Sequence, residues 1–311
     1  MLVFMTVFQQ VVLIFFLMAI GYGLGKSQLL KAESARDITN ILCYIVAPCI
    51  IIQAFQKPFD QSQARALALC FAANGLLFVL FALISKYGFS ERILADKNKR
   101  LALQYNMVYS NSGFIGIPLL LAVLGPDGIF FGTAYFAVSN IFVWTHGIGL
   151  YQRRVGTSLF KILLNPNIIA TVIGLGLYLC SIQLPPLVAQ GLGYITAVNT
   201  PMAMFVVGAS VAMLELKTIF SDFWLWLGTL LRNILAPLLT LGLLLLVSFD
   251  QVGREALLSI VLLMACPTAT MSTLFAKLNH LDESFPTRLV TLSTLASLVT
   301  VPLVMALAAM V

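Results

Sequence analysis

The sequence predicts an all-α polytopic membrane protein, and three observations carry that prediction. Hydrophobic residues make up 60% of the 311 positions and charged residues only 10%, with a mean hydropathy of +0.99, far from the averages of soluble globular domains. Apolar blocks of about twenty residues, the length that crosses ~30 Å of hydrocarbon, recur along the whole chain. The connections between them are short and polar and leave no room for a soluble domain.

Ten spans follow in order: 3 to 24, 35 to 56, 63 to 85, 101 to 124, 128 to 150, 165 to 183, 195 to 215, 222 to 248, 255 to 277 and 286 to 310. The first has no basic segment ahead of it, and its nearest positive charge, Lys26, comes after the apolar stretch. It is therefore expected to be a retained span and not a cleaved signal peptide. Orientation comes from the loops. With the N-terminus outside, the cytoplasmic connections hold fourteen Lys and Arg, and the external ones hold three, Lys57, Arg65 and Arg254. Both termini are then expected outside the cell, and the net charge of +6 reflects topology and attraction to anionic lipid, not nucleic acid. The five cysteines, Cys43, Cys49, Cys70, Cys180 and Cys266, all fall in predicted spans with no CxxC spacing. Buried thiols are expected there, not a disulfide framework or a metal site.

Ten spans with both termini on one side suggest two inverted halves of five: residues 1–150, a cytoplasmic linker at 151–164 carrying Arg153, Arg154 and Lys161, and residues 165–311. Prolines mark the correspondence. Pro48 in span 2 faces Pro201 in span 7, an offset of 201 − 48 = 153, and the middle of span 4 should face the region of Pro267 in span 9.

Span 4 holds YSNSGFIGIPLL, Tyr109 to Leu120, in which two serines, an asparagine, two glycines and a proline fall at the middle of an apolar run. Span 9 holds ACPTATMSTLFAK, where Pro267 is followed by Thr268, Thr270, Ser272 and Thr273. A backbone that leaves the helical path in lipid must satisfy its freed N–H and C=O groups within protein or water, so such breaks are expected at buried polar places. Gly113 and Gly116 permit close approach, Pro118 removes a helical donor, and Ser110, Asn111 and Ser112 offer partners. The second half-helices should begin near Ser112 and Thr268, with opposed N-termini at mid-membrane presenting unpaired N–H groups and partial positive charge, the elements of an anion site. Ordinary kinks serving close helix packing are the alternative.

At these residues the sequence resembles the auxin efflux carrier family, which includes plant PIN-type auxin exporters and bacterial permeases for malate, malonate and similar carboxylates. The resemblance rests on Asn111, Gly113, Gly116 and Pro118 within NSGFIGIPL, on Pro267 with the hydroxyl run and LFAK, and on TPMAMFVVGAS in span 7, and it extends over all ten spans. It implies a scaffold of spans 1, 2, 6 and 7 and a transport bundle of spans 3–5 and 8–10, whose broken helices 4 and 9 cross at the substrate. Plant members carry a proline directly before the asparagine, where this chain has Ser110, and the long cytoplasmic loop of many plant members is absent.

All twelve carboxylates fall in loops or at span ends, which leaves no deep Asp or Glu as a proton or sodium relay and suits an anionic substrate. Arg232 is the one ionisable residue deep in a span, either a counter-charge for a carboxylate, or a side chain that snorkels to the cytoplasmic face or ties down backbone carbonyls of a broken helix. Asn111, Ser112 and Thr268 are the leading candidates for substrate contact, with Ser110, Gly113, Thr270, Asn140 and Arg232 behind them. Gly116, Pro118 and Pro267 shape the breaks, and Asn40, Pro48, Gln53 and Pro201 are candidates for the scaffold side of a cavity. His146, near the cytoplasmic end of span 5, and His280 are expected to be ordinary interfacial histidines. No Walker A, HExxH or GxSxG motif is present, so no enzyme is expected, and no cofactor.

The expected function is secondary active transport of small organic anions, mono- or dicarboxylates, across a bacterial inner membrane by alternating access. A passive anion channel and an anion-binding sensor are the alternatives. Expected partners are the anion, membrane lipids, a coupling proton or a sodium ion held by carbonyls and hydroxyls, and a second copy in a homodimer.

Overall fold

The computed structural model describes residues 2–152, 164–212, 219, 220 and 222–311. Arg153, Arg154 and Lys161 of the expected linker, and also Glu215 and Lys217, lie outside the described residues. Among those described, the regular structure is helical: α1 (Leu2–Lys26), α2 (Ala32–Ala54), α3 (Gln61–Gly88), α4 (Lys97–Val108), α5 (Ser112–Tyr151), α6 (Pro166–Leu179), α7 (Pro186–Ala212), α8 (Phe223–Leu246), α9 (Arg254–Ala265), α10 (Met271–Leu278) and α11 (Ser284–Ala308). Among the described residues, seven helical segments are long and apolar enough to cross a membrane, and α6 is a shorter apolar helix. The predicted spans 4 and 9 appear as helix pairs, α4 with the start of α5 and α9 with α10, because each is interrupted near its centre. Span 7 begins earlier than expected, at Pro186, whose fixed φ suits the first turn of a helix.

The helix α5 doubles back on itself. Gly125 takes φ 64 and ψ −155, and Pro126 follows, so the helical path stops there although both flanks are helical. A Cβ built on Gly132 would lie 2.6 Å from Cδ1 of Leu120, twelve positions earlier. Twelve residues of straight helix would separate these positions by ~18 Å, so limbs 112–124 and 126–151 form an antiparallel hairpin, one limb completing span 4 and the other forming span 5.

Three of the long helices contain a π-helical turn ending two residues before a proline: Leu42–Val46 before Pro48, Ser112–Gly116 before Pro118, and Leu231–Leu235 before Pro237. A proline has no N–H for the carbonyl four residues back and its ring presses on that carbonyl, so the turn widens. In α8 the widened turn places consecutive polar residues, Arg232 and Asn233, inside the protein, both fully buried.

Close packing rests on small residues. Helices α1 and α7 lie together over much of their length. A Cβ on Gly208 would collide with the Met18 carbonyl, and one on Gly21 would lie 2.5 Å from the carbonyl oxygen of Phe205. The small side allows the backbones to meet, the arrangement that favours association in lipid. Large apolar side chains face outward, Leu76 at 73%, Val172 at 66% and Leu246 at 82% exposure, a surface suited to hydrocarbon. The expectation of five buried thiols is corrected: Cys70 and Cys266 are buried, Cys43 and Cys49 are half-buried, and Cys180, the residue after the end of α6, is exposed.

At the start of α8, Asp222 caps the helix by accepting from the Trp224 N–H (2.9 Å) and forms a 2.6 Å ion pair with Lys99 of α4. Partial burial raises its carboxyl pKa, but bonds from Lys99 and the Trp224 N–H and the nearby positive charge outweigh burial, and the net shift is downward. Its contribution to stability is therefore present above the ordinary carboxylate range and is lost as pH falls through the lowered value.

Gly208→Leu should force α1 and α7 apart, with a destabilisation of about 1–3 kcal/mol or more from overpacking. Gly23→Leu, where a Cβ meets nothing within 4 Å, should be tolerated. Thermal unfolding of the two variants in detergent checks this, and equal midpoints would contradict the packing described.

Candidate functional site

Helix α4 ends at Val108 and α9 ends at Ala265, and beyond these ends the two chains run extended past each other. Ser110 and Thr268 form an antiparallel bridge: the Asn111 N–H donates to the Pro267 carbonyl (2.7 Å) and the Ala269 N–H donates to the Tyr109 carbonyl (3.1 Å). Each break supplies the hydrogen-bond partners that the other has lost, which meets the requirement of a non-helical backbone at membrane depth. The crossing therefore lies at Ser110, where plant members carry a proline.

Arg232 holds the two helix ends that enter the crossing. Its Nε donates to the Cys266 carbonyl (3.2 Å), Nη1 to the Met107 carbonyl (3.2 Å) and Nη2 to the Met264 carbonyl (2.8 Å). Those carbonyls sit at the C-terminal ends of α4 and α9, where the helix dipole is negative, so one guanidinium satisfies orphan acceptors and partial charge from both helices. Of the roles weighed from sequence, counter-charge, snorkelling and carbonyl brace, this geometry is that of the brace. Among the described residues, no carboxylate is in the buried polar set.

The outgoing ends are different. The helical stretch that follows the first break starts at Ser112, as expected, whereas the second starts at Met271, three residues beyond the expected Thr268, because Thr268 is held extended in the bridge. The residues preceding them, Asn111 and Thr270, are types that ordinarily cap a helix with their side chains, and neither side chain does so. The Asn111 carbonyl accepts from the N–H groups of Ile115 (3.1 Å) and Gly116 (3.3 Å), but Asn111 Nδ2 is buried without a partner in a residue only 4% exposed. The N–H groups of Ser112 and Gly113 come ahead of any intrahelical acceptor, whereas at the start of the second outgoing helix the Ser272 and Thr273 N–H groups donate to the carbonyls of Ala269 (3.3 Å) and Thr270 (3.1 Å). Gly113 is exposed, and a Cβ there would meet nothing within 4 Å, so the start of α5 borders open space. Gly116 faces the other way, where a Cβ would lie 2.6 Å from Leu263 of α9.

The remaining candidates divide clearly. Thr268 is fully buried; its N–H donates to Ser293 Oγ (3.0 Å) and its hydroxyl to Asn106 Oδ1. Ser110 Oγ bonds the Tyr135 hydroxyl (2.7 Å). Asn140 is not part of the crossing contacts: its Nδ2 donates to the Phe136 carbonyl (2.8 Å), and Asn165 of the α6 cap lies 3.4 Å from its Oδ1. On α2, Asn40 is exposed and Gln53 accepts from the Thr196 hydroxyl of α7 (2.9 Å), while Pro48 and Pro201 are half-buried within α2 and α7.

Sequence reasoning missed the network beneath the crossing. Asn106 donates to the Gly228 carbonyl (2.9 Å), Ser293 donates to Asn233 Oδ1 (2.6 Å), and Asn233 Nδ2 returns to the Ser293 carbonyl (2.7 Å). These bonds tie α4 to α8 and α8 to α11 around the extended segment that follows α9. The available signal was the polar pair Arg232–Asn233 ahead of Pro237.

Arg232→Gln should leave buried carbonyls unpaired and lower stability by about 3 kcal/mol or more, at ~1–3 kcal/mol for each unsatisfied group. Arg232→Lys should recover only part of this, since an ammonium cannot span three acceptors as the guanidinium fork does. Denaturant unfolding measures both, and a native midpoint for Arg232→Gln would rule out the brace.

The family model described as membrane transport protein matches the chain twice, over residues 6–158 and 152–305. A protein named an uncharacterized transporter from Methanocaldococcus jannaschii is 26% identical over 304 residues, covering 94% of this chain and 96% of the relative. A second uncharacterized transporter, from Methanothermobacter thermautotrophicus, is 24% identical over 307 residues, covering 97% and 98%. The chain belongs to the membrane transport protein family, the family of the auxin efflux carriers.

Proposed function

We propose that this protein is a secondary active transporter of small organic anions, mono- or dicarboxylates, which it binds at the crossing of its two broken helices. The observation that carries the reading is the asymmetry of that crossing. The negative helix ends are neutralised internally by Arg232, while the positive ends at Ser112 and Met271 carry N-cap residues whose side chains leave the N–H groups uncapped. The leading N–H groups at Ser112 and Gly113, with the buried, unpartnered Asn111 amide beside them, suit a carboxylate. In this proposal Asn111, Ser112, Gly113 and Thr270 contact the anion. Ser110 and Thr268 hold the bridge, and Arg232 contributes through its field, enclosed as it is.

The architecture inferred is ten crossings in two inverted halves of five, with both termini on the outer face of the cell membrane. The twofold match of the family model and the mutual pairing of the two breaks support it. Spans 1, 2, 6 and 7 then form a scaffold, against which the bundle of spans 3–5 and 8–10 moves to expose one mid-membrane site to each side in turn. Saturable counterflow of labelled carboxylate in proteoliposomes separates this mechanism from a passive channel, which shows none.

Asn111→Ala should reduce carboxylate transport by roughly tenfold to a hundredfold, the equivalent of one lost hydrogen bond to a charged ligand. The unfolding midpoint should stay close to native, because Asn111 Nδ2 has no protein partner to lose. Transport at the native rate would reject the site.

A further inference from the structure

The third limb of the site region carries a fourth π-helical turn, Val143–Gly147 in α5, and no proline follows to explain it. The turn is held from outside. The Tyr109 hydroxyl donates to the Phe142 carbonyl at its head (2.9 Å), and the Tyr109 and Tyr105 rings press so closely that a Cβ on Gly147 would lie 3.3 Å and 3.2 Å from them. The same Tyr109 oxygen lies 2.9 Å from Nδ1 of His146.

These two contacts fix the histidine tautomer. A hydroxyl has one proton and a carbonyl can only accept, so the Tyr109 proton goes to Phe142 and His146 Nδ1 must be the donor to Tyr109. Nε2 is then the basic nitrogen of the neutral ring, and among the described residues no hydrogen-bond partner meets it. His146 is only half-buried. Tyr109 is the titratable side chain in contact with the ring; Tyr105 packs behind it at 4.4 Å between ring centroids, and Tyr151 of α5 lies 6.0 Å beyond Tyr105. Among the described residues, His146 makes no ion pair with a carboxylate.

The connection to the crossing is one residue long. Tyr109 accepts the Ala269 N–H through its own carbonyl and precedes Ser110 of the bridge. We propose that His146 is the proton-binding residue that couples anion movement to a proton gradient, taking one proton at Nε2 while Nδ1 stays bonded to Tyr109. Proton balance is simple: the neutral imidazole gains one H⁺ at Nε2 on one side of the membrane and releases it from the same atom on the other. The imidazolium offsets one carboxylate charge during the movement. Histidine is the side chain that gains and loses a proton most readily near physiological pH. Among the described residues the site region has no buried carboxylate, and this half-buried ring is joined to the crossing through Tyr109.

The inference rests on the proposed transport function, so the experiment must separate the two. Native protein in proteoliposomes is tested for counterflow of labelled malate, malonate and indole-3-acetate at equal pH, and then for accumulation of the active substrate under an imposed pH gradient. Accumulation is expected to rise about tenfold per pH unit, the factor carried by one proton. His146→Asn, whose amide can still donate to Tyr109 but cannot titrate, should retain counterflow at equal pH and lose gradient-driven accumulation. No counterflow by native protein with any of the three would overturn the transport reading and this inference together. Counterflow without gradient-driven accumulation, or accumulation retained in His146→Asn, would overturn this inference alone. Should His146→Asn lose counterflow as well, proton uptake by native protein on substrate addition in weak buffer decides: uptake approaching one proton per substrate is expected, and its absence overturns the coupling.

Discussion

The fold depends on one constraint, that a peptide backbone leaving its helix inside a membrane must find new hydrogen-bond partners within the protein. Here two interrupted helices meet that constraint with each other. Tyr109, Asn111, Pro267 and Ala269 exchange two backbone hydrogen bonds, and Arg232 collects the carbonyls left over at both incoming helix ends. Neither break satisfies its backbone alone, so the two interrupted helices depend on each other here. That point also sets the charge pattern, with the negative ends neutralised from within by Arg232 and the positive ends left without side-chain caps.

The position of Arg232 follows from a chain of local causes. Pro237 withholds a helical donor, the preceding turn widens, and Arg232 and Asn233 turn inward together. Asn233 then meets Ser293 of α11, whose hydroxyl also accepts the Thr268 N–H. The bracing of α9 by α8 and α11 is thus a consequence of one proline. It gives the crossing a rigid underside, while the side bordered by Gly113 and Thr270 is open or half-open.

The membrane character, the interruption of spans 4 and 9 and the start of α5 at Ser112 were legible in the sequence, because apolar length and clusters of proline, glycine and hydroxyl residues are one-dimensional signals. The second outgoing start was displaced from Thr268 to Met271, since the extent of an extended bridge depends on its partner strand and not on its own residues. Asn106, Tyr135, Asn233 and Ser293, on four separate helices, and Tyr109, just past the end of α4, were not legible as parts of the site, because only the fold brings them together. Cys180 was misjudged as buried because position within an apolar run does not say whether a side chain faces protein or lipid.

The central claim is that the two outgoing helix starts hold a carboxylate. A cryo-electron microscopy structure of the protein with malonate at saturation tests it most directly. The account predicts density for a carboxylate within hydrogen-bond distance of the backbone N–H groups at Ser112 and Gly113 and of the Asn111 amide, with the start of the Met271 helix on its other side and Arg232 still bonded to its three carbonyls. Malonate bound elsewhere, with both helix starts capped by side chains of the protein, would contradict it.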